Sequence, residues 1–285
     1  MDYARPTELE EALLLLKQKP WTVLAGGTDF YPALGAGPLK QDVLDINGLP
    51  ELAGITETDD HVAIGARTSW TEIIRHPLPP AFDMLKQAAR EVGSIQIQNR
   101  GTVAGNLCNA SPAADGMPPL LALDARVELR SADEGQRLVR LSEFVLGNRK
   151  TALRPGELVT AVHVPRHATA GRSSFVKLGS RRYLVISIAM AAARIALEGE
   201  RIVEAAVAVG SCSAVAQRIE GLEQALIGRY ISNISELVAD YPLSELSPID
   251  DVRGSAEYRR LGAREIVERA LLQAAFTDAE RGVAA

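Results

Sequence analysis

The sequence RGTVAGNLCNASPAAD, Arg100–Asp115, decides how the rest of the chain is interpreted. It combines two glycines, two asparagines, a threonine and a serine, and its only charged residues stand at its two ends. Because glycine leaves the backbone accessible, such a segment can present several N–H groups to one neighbour, and an anion suits that set of donors. The segment is therefore predicted to be a loop that lies against an anionic ligand.

A second segment of the same character, LAGGTDF at Leu24–Phe30, follows a short apolar strand predicted at Trp21–Ala25. Glycines after a strand permit a tight turn and a close approach to a ligand, but a plain turn uses them equally well. The sequence contains neither GxGxxG nor GxxxxGK[ST]. A Rossmann or P-loop nucleotide site is therefore not predicted.

The composition and the net charge of the chain limit the classes of function that we expect. The chain has 285 residues, 47% of them hydrophobic, and a net charge of −5, which is typical of a globular protein of about two domains and argues against a nucleic-acid partner. No apolar run reaches the roughly 18 residues of a membrane span. The acidic N-terminal sequence lacks a signal-peptide pattern. We expect a cytoplasmic protein.

The sequence offers few candidate ligands for a metal ion or an iron–sulfur cluster. Two cysteines, Cys108 and Cys212, fall short of the usual four iron–sulfur ligands, lack CxxC spacing and are expected to be reduced thiols. The histidines show no metal-ligand spacing; they are His61, His76, His163 and His167. Redox chemistry would therefore depend on an organic cofactor or a partner protein.

Strand and helix patterns alternate along the whole chain and predict two mixed α+β domains joined near residue 170. A first helix is predicted at Thr7–Lys19, with Thr7 as N-cap and Glu10 completing a capping box. Another is predicted at Trp70–Arg75, capped by Thr68 or Ser69.

Three further patterns concern the C-terminal half. The polar, glycine-containing stretch Arg166–Ser174 is a candidate domain boundary. Val185–Leu197 is predicted to be either a strand or an alanine-rich helix. Arg259–Ala275 has the pattern of a last helix.

Taken together, LAGGTDF and GTVAGN followed by SPAAD resemble the two FAD-binding motifs of the molybdenum hydroxylase flavoprotein (medium) subunits, the family of xanthine dehydrogenase and carbon monoxide dehydrogenase. PGELVTAVHVP and FVKLGSRR extend the resemblance over the chain. It implies an α+β fold of the PCMH type: two α/β subdomains, about 1–56 and 57–168, that clasp FAD. A C-terminal α+β domain of the carbon monoxide dehydrogenase flavoprotein type is implied at 172–280.

The resemblance also implies the cofactor-binding residues. Those of the first motif would surround the FAD diphosphate; they are Ala25, Gly26, Gly27, Thr28, Asp29 and Phe30. Those of the second would close on the diphosphate and ribityl chain from the other side; they are Thr102, Val103, Ala104, Gly105, Asn106 and Ser111.

Three further positions match family residues individually. Asp115 matches an acid that hydrogen-bonds ribityl or ribose hydroxyls, Val159 or its neighbour Leu158 matches an apolar flavin contact, and Lys177 matches a lysine at the pyrimidine edge of the flavin. Plainer interpretations stay open for some of these residues. Asp29 and Ser111 suit turns, and Lys177 suits a solvated basic patch.

The implied function is electron transfer inside a complex. FAD would be bound by this chain, the molybdenum cofactor by a large subunit and two [2Fe–2S] clusters by a small subunit, in a dimer of heterotrimers. Electrons would pass to NAD+, a quinone, oxygen or a carrier protein. A stand-alone PCMH-type flavin oxidoreductase and a scaffold that has lost its cofactor are the alternatives. One departure is clear: the family often has an acid shortly after the basic pair matched by Arg181 and Arg182, where this chain continues with Tyr183–Ile186.

Overall fold

The computed structural model describes residues 1–35 and 37–276. Within these ranges, helices and strands are mixed throughout, and three sheets and one short hairpin contain the strands. The predicted α+β fold is therefore confirmed. The predicted C-terminal domain, 172–280, includes residues 277–280, which lie outside the described residues.

The N-terminal part is a small parallel sheet with two helices. Its elements are β1 (Tyr3–Ala4), α1 (Leu9–Gln18), β2 (Thr22–Leu24), α2 (Phe30–Leu34) and β3 (Val43–Asp45). The strand order is β1-β3-β2, and both pairings are parallel. Helix α1 buries Leu9, Ala12, Leu13 and Leu16, whose spacing places them on one helical face.

The predicted start of the first helix is wrong. Helix α1 begins at Leu9, and Glu8 occupies the N-cap position without a side-chain cap. Instead, the Leu9 N–H donates to Oε1 of Glu51 at 2.8 Å. A carboxylate 42 positions away therefore replaces the local capping box, which explains why local sequence did not locate the helix start.

The middle part has an antiparallel sheet, covered by short helices. Its strands are β4 (Ile55–Glu57), β5 (His61–Gly65), β6 (Arg126–Ser131), β7 (Gly135–Arg140), the hairpin strands β8 (Val145–Gly147) and β9 (Lys150–Thr151), and β10 (Leu158–Pro165). The five-stranded sheet has the order β4-β5-β10-β6-β7. Its helices are α3 (Trp70–Arg75), α4 (Asp83–Glu91), α5 (Ile95–Arg100), α6 (Val103–Asn109), α7 (Met117–Ala122) and α8 (Leu141–Phe144).

Half of the segment predicted as one loop, Arg100–Asp115, is helical. It contains the end of α5 and all of α6. Helix α6 forms because Thr102 accepts a hydrogen bond from the Gly105 N–H and because Val103, Ala104 and Leu107 bury one face. The backbone groups attributed to a loop thus belong partly to the first turn of a helix.

The C-terminal part pairs one antiparallel sheet with three helices. Its elements are β11 (Arg172–Leu178), β12 (Ala189–Glu198), β13 (Arg201–Gly210), β14 (Gln217–Arg218), α9 (Glu220–Leu226), α10 (Ile234–Asp240) and α11 (Ala256–Ala275). Strands follow one another in sheet order. Helix α11 begins three residues before the predicted Arg259 because Ser255 caps it, accepting from the Tyr258 N–H at 3.1 Å.

The segment Val185–Leu197, predicted as strand or helix, contains all of strand β12 except its last residue, Glu198. Met190 and Ala192 pack into the core of the middle part, whereas Ala191 and Ala193 pack into the core beneath α11. Because both faces of this strand are buried, its sequence is continuously apolar and lacks the alternation that would identify a strand.

Candidate functional site

A cavity of about 580 Å³ is lined by residues of both the N-terminal and the middle part. Cofactor and small-molecule sites commonly measure about 300–1,000 Å³. The two glycine-containing segments and strand β10 supply the predicted residues that line it. They are Ala25, Gly26, Gly27, Thr28, Asp29, Phe30, Thr102, Ala104, Gly105, Asn106 and Val159.

The two glycine-containing segments touch at Gly26. A Cβ atom at this position would lie 1.9 Å from the backbone oxygen of Arg100 and 3.1 Å from Cα of Gly101. No side chain fits at that separation, so the approach of the two segments requires glycine. The next residue, Gly27, has φ of 75°, in the left-handed region that favours glycine.

Both segments carry unused backbone donors. Among the residues that the structure describes, no group accepts a hydrogen bond from the backbone N–H of Gly26, Gly27, Thr28 or Asp29. In the second segment the same holds for Thr102 and Ala104. Several free N–H groups around one cavity are the type of donor set that binds a diphosphate.

Asn106 adds an unused acceptor beside these donors. Its Oδ1 atom is buried and accepts no hydrogen bond within the described part of the chain. Leaving a buried acceptor unpaired costs about 1–3 kcal/mol, so a hydroxyl donor from a ligand would stabilise it. FAD has both a diphosphate and a ribityl chain with hydroxyl groups, and the residues present fit both groups.

Strand β10 forms an apolar part of the wall. Leu158 and Val159 line the cavity, and the register between β10 and β6 shifts between Val159 and Ala161. Such an irregularity redirects side chains locally. Val103, by contrast, is fully buried in the hydrophobic core of the middle part and is not among the lining residues.

Asp115 and Lys177 form a buried ion pair outside the lining of this cavity. Oδ2 of Asp115 lies 2.7 Å from Nζ of Lys177, and the side chains are 9% and 7% exposed. Ser187 donates to Oδ1 at 2.7 Å. Burial raises the pKa of the Asp115 carboxyl, against the lowering effect of the nearby ammonium. One carboxylate thus holds both ends of the segment 178–186, and its predicted contact with FAD stays a prediction.

Ser111 also lies outside the cavity lining. Its Oγ atom accepts a hydrogen bond from the Ala113 N–H at 3.3 Å. This contact is a short side-chain turn, as the plainer interpretation of Ser111 predicted.

Several residues that line this cavity were not predicted from the sequence. They are Trp70, Ile97, Cys108, Asn109 and Arg149, among others. Arg149 is the notable one, because it brings a cation to a wall rich in N–H donors. Its φ is 58°, and its N–H donates to the oxygen of Ala110 at the end of α6. The only signal in the sequence was the turn-forming pair Asn148-Arg149 between two short strands.

Residues 1–35 and 37–276 contain no group of three or more His, Cys, Asp or Glu side chains arranged to hold a metal ion. They also contain no helix with the length and hydropathy of a membrane span.

Comparison with known proteins agrees with this geometry. Residues 1–167 match the family model of the FAD-binding domain in molybdopterin dehydrogenase, and residues 174–274 match that of the C-terminal domain of carbon monoxide dehydrogenase flavoprotein. The glyceraldehyde dehydrogenase medium chain of Sulfolobus acidocaldarius is 32% identical over 96% of this chain and 98% of its own length. The caffeine dehydrogenase subunit beta of Pseudomonas sp. (strain CBB1) is 32% identical over 99% and 98%.

A solved structure shows the same fold. A chain of carbon monoxide dehydrogenase from Hydrogenophaga pseudoflava, in a form that lacks the Mo-pyranopterin moiety of the molybdenum cofactor, superposes with a TM-score of 0.86. The match covers 96% of each chain at 29% identity. This protein therefore belongs to the FAD-binding medium subunits of the molybdenum hydroxylase family, and it is an oxidoreductase subunit.

Proposed function

We propose that this subunit relays electrons through FAD from the [2Fe–2S] clusters of a small partner subunit to an external acceptor. A large partner subunit with the molybdenum cofactor would hydroxylate the substrate. The observation that carries the proposal is the cavity in which two distant glycine-containing segments meet and leave backbone N–H groups unused. Family membership supports it as well, because the similar proteins are named as chains or subunits of dehydrogenases.

Each group of residues has its own role in this proposal. The free N–H groups of the two glycine-containing segments bind the diphosphate, Asn106 accepts from a ribityl hydroxyl, and Leu158 and Val159 provide an apolar surface. Asp115 is proposed to contact the sugar-like chain and Lys177 the pyrimidine edge of the flavin. Bound FAD supplies the electron-transfer chemistry. The chain's own contribution is to bind and orient this cofactor.

The substrate of the complex is not a property of this chain in our proposal. Two relatives, each 32% identical to it, are named for glyceraldehyde and for caffeine, which are chemically unrelated. Equal similarity to both suggests that substrate recognition lies in the large subunit.

The proposal extends to the assembly, the location and the domain limits of the chain. We propose a dimer of heterotrimers, a cytoplasmic location, and domain limits at residues 1–168 and 172–280. The hydrophobic cores support the domain limits: one lies mainly in the middle part, although residues such as Phe175 and Met190 of the C-terminal part also reach into it, and another lies between the C-terminal sheet and α11.

A tagged copy of the chain, purified from its native source, tests the proposal. We expect a large and a small subunit to co-purify, with molybdenum, iron and FAD in fixed ratios by metal analysis and absorbance. An acceptor screen of the complex with NAD+, quinone, oxygen and carrier proteins then identifies the oxidant. Turnover of a substrate by the chain alone would instead support the stand-alone oxidoreductase. Absence of flavin from both the complex and the FAD-treated chain would overturn the proposal.

A further inference from the structure

A second large cavity, of about 790 Å³, lies between helix α4, strand β11 and helix α11. We call it the basic cavity, because five of its lining residues are cationic and one is acidic. The cationic residues are Arg90, Lys177, Arg181, Arg182 and Arg269, and the acidic residue is Glu91. The first cavity, of about 580 Å³, which the two glycine-containing segments line, is called the glycine-lined cavity. The basic cavity shares no lining residue with it, although Val92, the residue after Glu91, lines the glycine-lined cavity.

Most of the arginines of the basic cavity have no carboxylate partner. Within the described residues, Arg269 pairs with Glu265 at 2.7 Å, and no ion pair involves Arg90, Arg181 or Arg182. Arg181 donates to the backbone oxygen of Leu184. Exposed arginines normally need no partner, but several around one concave surface create a positive potential that attracts anions.

Two glutamines, Gln87 and Gln273, add hydrogen-bond donors to the wall of the basic cavity. Oε1 of Gln87 accepts from the Phe175 N–H at 2.6 Å, and Oε1 of Gln273 accepts from Ser174 Oγ at 2.6 Å. These bonds occupy the oxygen of each amide. Within the described residues, the NH2 groups of Gln87 and Gln273 donate no hydrogen bond. Both NH2 groups can therefore donate to a ligand.

We propose that the basic cavity binds a phosphate-bearing ligand of about nucleotide size. Guanidinium groups bind phosphate through paired hydrogen bonds, and fixed amide donors add specificity for an acceptor-rich group. A lone phosphate would fill little of a volume of about 790 Å³, whereas ligands of nucleotide size suit it. The two cavities have separate linings, but Lys177 lines the basic cavity and is also the residue proposed at the pyrimidine edge of the flavin. The ligand is therefore assigned to the arginines and the two glutamines, none of which has a proposed contact with FAD.

Isothermal titration calorimetry of the FAD-saturated protein tests the proposal. ADP and inorganic pyrophosphate are the probes, and adenosine is the probe without phosphate. We expect one ADP per chain, with affinity that falls as salt is raised, and no binding of adenosine. Tighter binding of ADP than of pyrophosphate would indicate a nucleotide, and equal binding would indicate that the phosphates alone are recognised. Both results support the site.

Variants then assign the binding to this cavity. Arg90→Gln and Arg269→Gln should each weaken ADP binding by about tenfold, because each removes a charged hydrogen-bond donor from an exposed position. Arg229→Gln, at an exposed arginine outside both cavities, is the matched control and should leave it unchanged. Lack of ADP and pyrophosphate binding, or ADP binding that is equal in Arg90→Gln, Arg269→Gln and the unmodified protein, would overturn the proposal. Since Arg90 does not line the glycine-lined cavity, this assignment holds even if the chain fails to bind FAD.

Discussion

The Cα atom of Gly26 lies so close to the backbone oxygen of Arg100 that a Cβ atom there would be 1.9 Å away from it. Gly26 follows strand β2, and Arg100 ends helix α5, 74 positions later in the sequence. This contact joins the N-terminal part to the middle part at the wall of the glycine-lined cavity. We therefore expect a change at Gly26 to affect both the packing of the two parts and the binding of FAD.

Gly26→Ala should weaken FAD binding by more than tenfold. The new methyl group meets backbone atoms, which cannot rotate away, so the two segments must move apart. Overpacking of this kind costs about 1–3 kcal/mol, and the displacement also separates the N–H groups that are proposed to bind the diphosphate. Flavin fluorescence titration of the FAD-free protein measures the affinity, and urea denaturation measures the free energy of unfolding.

Gly147→Ala is the matched control for this substitution. A Cβ atom at Gly147 has no heavy atom within 4 Å. The Gly147→Ala protein should have the same FAD affinity and the same free energy of unfolding as the unmodified protein. A Gly26→Ala protein with the same FAD affinity as Gly147→Ala would contradict the arrangement of the site.

Arg149→Gly should separate stability from cofactor binding. Arg149 has φ of 58°, which strains any residue except glycine, so the free energy of unfolding should not fall. FAD affinity should nevertheless fall about tenfold, because the cavity loses a cation that can donate to the diphosphate. Thermal unfolding without FAD and fluorescence titration with FAD measure the two effects.

Arg149→Lys tests whether charge is the relevant property. It keeps a cation at a strained backbone position, and we expect it to retain most of the FAD affinity. If Arg149→Gly binds FAD as tightly as the unmodified protein, Arg149 lines the cavity without contributing to binding.

The sequence predicted those features of the fold that depend on neighbouring residues. Helix α3 has the predicted bounds because Ser69 and Glu72 form a capping box within four residues. The two glycine-containing segments were visible for a similar reason, because glycine next to small polar residues within a short stretch leaves the backbone accessible to a ligand.

Features that depend on distant residues were not predictable. The start of α1 depends on Glu51, and the bond between Asp115 and Lys177 joins positions 62 residues apart. Arg149 reaches the cavity only because the hairpin β8–β9 packs beside α6. No local pattern contains these contacts, although the family resemblance had marked Asp115 and Lys177 individually.

Asp115→Asn should destabilise the protein by about 3 kcal/mol, because it leaves the Lys177 ammonium buried without a counter-charge. Urea denaturation of the FAD-free protein measures this effect without a contribution from the cofactor. The bond from Ser187 to Oδ1 can persist in the variant, so the loss reports mainly the missing charge.

The double variant Asp115→Asn with Lys177→Met provides the control. Since it removes both charges, it should be less destabilised than the sum of the single variants, with a coupling energy of about 1–3 kcal/mol. Strictly additive losses would mean that Asp115 and Lys177 stabilise the fold independently of each other.

Asp251 should contribute to the acid sensitivity of the C-terminal part. It accepts hydrogen bonds from the Arg253 N–H at 2.8 Å and from Nη2 of Arg259 at 2.7 Å. These contacts lower the pKa of Asp251 from 3.8 to about 2. Because the unfolded chain then binds the proton more readily, the stabilisation from ionised Asp251 is fully present above the unfolded value of 3.8 and is lost as pH falls towards 2.

Asp251→Asn should therefore lower stability at pH 6 and change it progressively less as pH falls to 2. The loss at pH 6 arises because Arg259, 3% exposed, keeps only the backbone oxygens of Ile188 and Ser211 as described acceptors. Urea denaturation at a series of pH values compares the variant with Asp240→Asn, which changes an exposed carboxylate outside any described ion pair. A difference between Asp251→Asn and the unmodified protein that stays constant from pH 6 to pH 2 would show that the charge of Asp251 does not stabilise Arg259.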